Sequence, residues 1–183
     1  MPVVKTPRLI LRPPTLDDLD GMTAMWAEES VTRFIAYHPN GREECWYRLL
    51  REAGHWALLG FGYWVVTDRQ TGMFLGKVGV SAYRRQPVPG LGIFHEAGWV
   101  LNTAAQGKGL GREALTAALA WWDDNFPDCA LHCMISPDNT VSHRMAMGAG
   151  FIRVSETEFR DRIVDIYRRE ASITAQKLSS DAV

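Results

Sequence analysis

Hydrophobic and polar positions change period several times along the chain. Arg8-Leu9-Ile10-Leu11-Arg12 alternates and predicts a first strand, ended by Pro13-Pro14. Thr15, with Asp18 three residues on, is an N-cap pattern. It predicts a helix from about Leu16 to Ala27, with Leu19, Met22 and Trp26 on one face. Residues from Glu28 to Gly41 suit a loop or a short second helix, since Pro39-Asn40-Gly41 is turn chemistry. A longer helix follows from about Glu43 to Leu58, and its expected apolar stripe is Trp46, Leu49, Leu50, Ala53 and Ala57. Phe61–Asp68 and Met73–Ser81 pattern as a hairpin around Gln70-Thr71-Gly72. A loop rich in proline and glycine, Arg84 to Gly92, leads into a strand from Phe94 to Leu101. A helix is expected from about Leu110 to Asn125, burying Gly111, Leu115, Ala118, Leu119 and Trp122. Ala130–Ile135 patterns as an apolar strand. Ser136-Pro137-Asp138-Asn139 is a break with an N-cap, and a short helix then runs to about Met147, stopped by Gly148 to Gly150. Two last strands, Phe151–Phe159 and Arg162–Glu170, turn near Arg160-Asp161. The order implies antiparallel pairing in the first half and one right-handed parallel crossover in the middle, hence a mixed sheet.

Composition narrows the function classes. The 183 residues suit one domain, 1–183, with a core over about 6–170 and a polar tail at 177–183. A net charge of −1 disfavours a general nucleic-acid or membrane-surface role. No apolar run approaches the roughly 20 residues of a membrane span. Cys45, Cys129 and Cys133 lack a metal-binding spacing and suit reduced thiols, so the expectation is a cytoplasmic protein without a metal. Seven tryptophans are the one oddity; they suit core packing, or in part a substrate cleft.

One stretch carries chemistry: Gln106-Gly107-Lys108-Gly109-Leu110-Gly111-Arg112, between an apolar strand and an alanine-rich helix. A glycine turn at a helix start leaves N–H donors open, at the positive end of the helix dipole, where phosphate binds. Lys108 and Arg112 would add charge there. The spacing is not a Walker loop, because Lys108 is followed by Gly109 and the earlier glycine position is Asn102. It is not a Rossmann fingerprint either, because Arg112 stands where the third glycine is needed. A purely structural tight turn is the alternative.

Gln106, Gly109 and Gly111 form Q-x-x-G-x-G, and here the chain resembles the GNAT acetyltransferase superfamily, whose acetyl-CoA motif lies at such a turn. Glu96-Ala97-Gly98-Trp99-Val100-Leu101 resembles the family's fourth strand, and Asn139-x-x-Ser142 up to Gly150-Phe151 its fourth helix. Thr6-Pro7-Arg8-Leu9-Ile10-Leu11-Arg12 resembles the opening strand of the ribosomal-protein N-terminal acetyltransferase (RimJ/RimL-like) branch. The resemblance covers about Thr6 to Arg169. It implies an α/β (α+β) fold: a mixed, mostly antiparallel sheet of six to seven strands, about four helices, and a splayed gap between the family's fourth and fifth strands. It implies acetyl-CoA as co-substrate, its pantetheine pairing with the backbone of Trp99, Val100 and Leu101 and its pyrophosphate on Gly107 to Arg112. Asn139 would also reach the cofactor, or serve as a helix cap.

Direct transfer of an acetyl group to an amine needs a proton acceptor and a stabilised leaving thiolate. Glu96 is the candidate base, on the strand face shared with Gly98 and Val100. A structural pairing with Arg84 or Arg85, or mere attraction of a cationic substrate, is its alternative. His95 points the other way. Many family members carry a tyrosine acid seven residues after the asparagine, but Ala146 stands there, which leaves Ser142, a water, or an unprotonated thiolate. Trp26, Phe34, Tyr37, Trp46, Tyr83 and the Arg84-Arg85 pair fall in regions that shape the acceptor site in this family. Aromatics would cage an amine and arginines would hold a carboxylate or phosphate. The acceptor is a protein N-terminal amine or a small-molecule amine, and the protein a monomer or homodimer. A catalytically silent CoA-binding module, or an unrelated α/β interaction domain, are the other readings.

Overall fold

The computed structural model describes residues 1–36, 39–84 and 95–173. Tyr37, Arg85, Phe94, nearly all of the 84–92 loop and the 177–183 tail lie outside them. The strands are β1 (Val4–Lys5), β2 (Leu9–Arg12), β3 (Tyr63–Asp68), β4 (Phe74–Ser81), β5 (His95–Leu101), β6 (Leu131–Ile135), β7 (Ile152–Glu158) and β8 (Ile163–Arg169). The helices are α1 (Leu19–Ala27), α2 (Glu29–Thr32), α3 (Arg42–Leu59), α4 (Leu110–Asn125) and α5 (Thr140–Gly148). All eight strands belong to one mixed, mostly antiparallel sheet. It has more strands than expected because Val4–Lys5 pairs with Ile10 and Leu11, and Trp64 Nε1 donates to the Pro2 carbonyl at 3.1 Å to hold that end down.

The chain divides into two compact units. The first holds Met1–Ser81 and Gly98–Ala118. Its strands pair antiparallel in the order β1-β2-β3-β4, with the last four residues of β5 in the same unit. The β3–β4 hairpin turns as expected: Asp68 Oδ1 accepts from the N–H groups of Gln70 and Thr71 at 3.0 and 2.8 Å, and Gly72 has φ of 73°. Leu16–Asp18 is a 3₁₀ turn before α1, and Asp18 joins Arg12 in a bidentate ion pair at 2.6 and 2.8 Å. Met22, Met25, Trp26, Val31, Cys45, Leu49 and Val100 make its core.

The inward face of α3 differs from the expected stripe. Cys45, Leu49, Glu52 and Trp56 are buried, while Trp46 and Leu50 are exposed. An apolar count along α3 misplaces the face because a carboxylate belongs inside: Glu52 pairs with the buried Lys77 of β4.

The second unit holds Ala82–Ala97 and Leu119–Val183. β5 and β6 run parallel, and their ladder consists of His95↔Leu131 and Glu96↔His132. β6, β8 and β7 then pair antiparallel in that order. The β7–β8 turn falls at Arg160 and Asp161, both left-handed with φ of 53° and 60°, the geometry of a two-residue hairpin loop. Trp122 stacks on Phe126 and lies 5.0 Å from the His95 ring. Of the seven tryptophans, Trp26, Trp56, Trp64 and Trp122 are buried, which is the packing role.

Candidate functional site

In the first unit the site begins where β5 ends. Asn102 donates its N–H to Leu75 O at 2.9 Å, which turns that end of β5 toward β4. By strand alternation the backbone groups of Val100 also face β4, and those of Trp99 and Leu101 face the other edge. Val100 therefore contributes its side chain to the core instead of backbone groups to a ligand. Leu101 O accepts from Gln106 Nε2 at 3.0 Å, so the glutamine ties the strand end to the turn.

The turn itself is exposed. Gly107 and Gly109 have φ of 73° and 74°, where a side chain is strained. Glu113 N–H donates to Gly109 O at 3.1 Å, the first helical bond of α4. Among the described residues, no group accepts from the N–H of Gly107 through Arg112. The donors expected of an anion cradle are present, and Leu110 and Gly111 lie in its helical part. Lys108 does not point its charge outward: its Nζ donates to Ala104 O at 2.7 Å. Arg112 is exposed.

Beneath the turn lies a contact that sequence reading missed. Arg8 Nη1 donates to Lys108 O at 2.9 Å, and Arg8 Nε to Glu113 Oε2 at 2.7 Å. Thr6 Oγ1 and Arg8 N–H donate to Glu113 Oε1 at 2.6 and 2.9 Å. Burial raises the Glu113 pKa, but these bonds outweigh it and hold the carboxyl below its usual range.

Also missed is a buried polar cluster on the sheet face that meets α3. The Lys77 ammonium lies 5.9 Å from the Trp26 ring and 5.7 Å from the Tyr63 ring, and pairs with Glu52. Burial pulls the Lys77 pKa down, with Glu52 opposing. Among the described residues, Trp26 Nε1 and Glu52 Oε2 meet no partner. The Tyr63 hydroxyl occupies the place a Cβ at Gly98 would take, so Gly98 is needed for close approach. That lone strand glycine, and one lysine in an apolar strand, were the available signals. Trp26 itself is 3% exposed under the Arg48 guanidinium, 4.2 Å above its ring, so it is a core wall and not an open cage. Phe34 is half-buried, with Arg33 stacked 4.4 Å from its ring.

In the second unit, Glu96 lies opposite His132 on the parallel ladder. The Cys133 thiol is pushed up by burial first and by the Glu96 charge second, so a negative group stands near it. His95 and His132 are both shifted down, chiefly by burial, which favours neutral imidazoles. Asn139 caps α5: its Oδ1 accepts from Ser142 N–H at 3.1 Å. His143, which sequence reading passed over, bonds the Tyr167 hydroxyl through Nδ1 at 2.8 Å and Pro137 O through Nε2 at 3.1 Å, bracing the loop that carries Asn139. Ala146 is fully buried, and Phe151 N–H donates to its carbonyl at 3.0 Å. Tyr83 is half-buried and Arg84 exposed.

Among the described residues, no group of histidine, cysteine and acidic side chains is placed to hold a metal ion, and no helix is long and apolar enough to cross a membrane. A family model described as an acetyltransferase (GNAT) domain matches residues 8–152. A solved structure from Bordetella pertussis, described as a GnaT-family acetyltransferase, is 30% identical with a TM-score of 0.81, over 92% of this chain and 99% of that one. An acetyltransferase from Agrobacterium tumefaciens is 24% identical with a TM-score of 0.75, over 93% of this chain and 95% of that one. The ribosomal L7/L12 α-N-protein acetyltransferase RimL, solved with CoA, shares the fold at 13% identity and a TM-score of 0.75, over 93% and 99% of the two chains. With a family model spanning most of its length and a relative of this identity along nearly all of it, the chain belongs to the GNAT acetyltransferase family.

Proposed function

We propose that the protein moves an acetyl group from acetyl-CoA to a primary amine, by direct attack of the amine on the thioester. The open glycine turn carries this reading: among the described residues, none of the six N–H groups from Gly107 through Arg112 meets an acceptor at the start of α4. They suit a pyrophosphate, while the backbone of Trp99 and Leu101 offers an edge for the pantetheine. That RimL is solved with CoA on the same fold supports the cofactor. Bonds balance without a covalent enzyme intermediate. The amine nitrogen bonds to the carbonyl carbon, the carbon–sulfur bond breaks, and Glu96 takes the amine proton directly or through water. Ser142 donates to the sulfur, or the thiolate leaves unprotonated. Asn139 keeps its amide Nδ2 for the cofactor while Oδ1 holds the cap.

A protein N-terminal amine, as in the ribosomal-protein enzymes of this fold, or a small-molecule amine is the acceptor. Phe34, Tyr83 and Arg84 are its contacts, with Trp26 in the core of the first unit. The protein acts in the cytoplasm as a monomer or homodimer. The alternative is a CoA-binding module without transfer, kept open by Ala146 in place of the usual tyrosine.

Calorimetry with acetyl-CoA and a thiol-release assay over ribosomal peptides, polyamines, amino acids and aminoglycosides test the reading. Binding with turnover on at least one amine is expected. Binding without turnover favours the silent module, and no binding at millimolar acetyl-CoA removes both. Glu96→Gln should lower turnover at low and neutral pH and spare acetyl-CoA affinity; equal turnover at every pH removes Glu96 as the base.

A further inference from the structure

We infer that Arg8 and Glu113 form a clasp that sets the ligand-binding shape of the glycine turn, making Arg8 a positioning residue for acetyl-CoA. The inference rests on the CoA reading of that turn. A Gly-Lys-Gly turn is entropically costly to order, and its two left-handed glycines have no side chains to anchor it. Among the described residues, no side-chain cap closes it. The structure shows what holds it instead. The guanidinium of Arg8 uses two directions of its planar fork, Nε to the Glu113 carboxylate and Nη1 to the Lys108 carbonyl.

The Lys108 carbonyl is the informative partner. In a trans peptide the C=O and the following N–H point in opposite directions. Drawing Lys108 O onto Arg8 therefore aims the Gly109 N–H away from Arg8, toward the open side of the turn. Arg8 Nη2 lies 3.6 Å from the place a Gly109 Cβ would take, so the guanidinium supports the turn from below. Glu113 sits in the first turn of α4 and is bonded by Thr6 Oγ1 and Arg8 N–H as well. Its negative charge offsets that of Arg8, and its three donors fix it. Thr6 also accepts from Leu9 N–H at 2.9 Å, which ties the clasp to the start of β2. The Thr6-Pro7-Arg8 segment thus has a purpose at the turn about a hundred residues away, apart from starting a strand.

The fork separates arginine from lysine, because one ammonium cannot reach a carboxylate and a carbonyl in those two directions. Arg8→Ala and Arg8→Lys should each raise the Kd and the KM for acetyl-CoA by about tenfold. At saturating acetyl-CoA, kcat and the KM for the amine should stay within about twofold. Amide exchange from Glu113 to Thr116, whose N–H groups are bonded at the start of α4, should speed up in both variants, with the β3–β4 hairpin unchanged. Unaltered exchange over 113–116 in Arg8→Lys overturns the clasp, whatever the ligand. Faster exchange with unchanged acetyl-CoA affinity overturns its role in binding. Wild-type protein that binds no acetyl-CoA sinks the CoA reading and the cofactor half of this inference, while exchange still decides the clasp. Arg8→Lys keeps the charge and reads the fork if Arg8→Ala fails to fold.

Discussion

Two strand-to-helix junctions, one in each unit, meet the same problem in opposite ways. Every helix start exposes N–H groups that need acceptors. At the start of α5 the chain supplies one itself: Asn139 Oδ1 takes the Ser142 N–H. At the start of α4 none of the described residues supplies one, and Gly107 and Gly109 keep side chains out of the way. A capped junction is self-sufficient and contributes local stability. An uncapped one forgoes that stability and retains donors for a ligand. The uncapped junction must then be shaped from outside, which is where Arg8 and Glu113 enter. Of two helix N-termini in one family fold, the one that looks less finished is the better candidate for anion binding.

Gly109→Glu breaks this comparison most severely. A side chain there starts 3.6 Å from Arg8 Nη2, so its carboxylate would compete with Glu113 and the Lys108 carbonyl for the guanidinium and would add negative charge beside the phosphate site. Acetyl-CoA affinity should fall by at least about 100-fold, read by calorimetry. The left-handed backbone at Gly109 adds ~1–2 kcal/mol of strain, so the fold should survive. Unchanged affinity would place the phosphate elsewhere.

At the capped junction the effect is smaller and falls on stability. Asn139→Ala should cost ~1 kcal/mol and lower the Tm by about 2–4 °C, whereas Asn139→Asp keeps an acceptor and should hold the Tm. Both lose the Nδ2 donor, and acetyl-CoA affinity should fall several-fold in each. An unchanged Kd in both variants would leave Asn139 a cap alone.

The two junctions also differ in how far the sequence reveals them. Gln106, Gly109 and Gly111 lie within six residues, as do Asn139 and Ser142, so spacing was enough to find turn and cap. Whatever closes over long separations stayed hidden. Arg8 and Glu113 are 105 residues apart, and each alone suits a solvated surface. Glu52 and Lys77 are 25 apart, and burying both contradicts the rule that apolar residues mark the inward face. The α3 stripe was misplaced for that reason. The strands and helices themselves were legible within a few residues, because periodicity is local. The two-residue β1 was not, since its existence depends on pairing with β2 and on Trp64 holding Pro2.

The smallest predicted effect separates the junctions by pH. The α5 cap is a neutral amide and does not titrate. The α4 clasp contains a carboxylate whose folded pKa is lowered, by the Thr6 and Arg8 bonds against the opposing effect of burial. A lowered carboxyl pKa stabilises the fold fully above the unfolded value of about 4.3, and that contribution is lost as pH falls through the folded pKa. Because Arg8 is half exposed, solvent screening limits it to ~1 kcal/mol or less. Urea unfolding of wild type and Glu113→Gln should differ by that amount at pH 6–7 and converge toward pH 3. Asn139→Ala should show a constant deficit over the same range. A Glu113→Gln deficit that does not shrink on acidification would mean that the carboxylate charge is not what holds the turn.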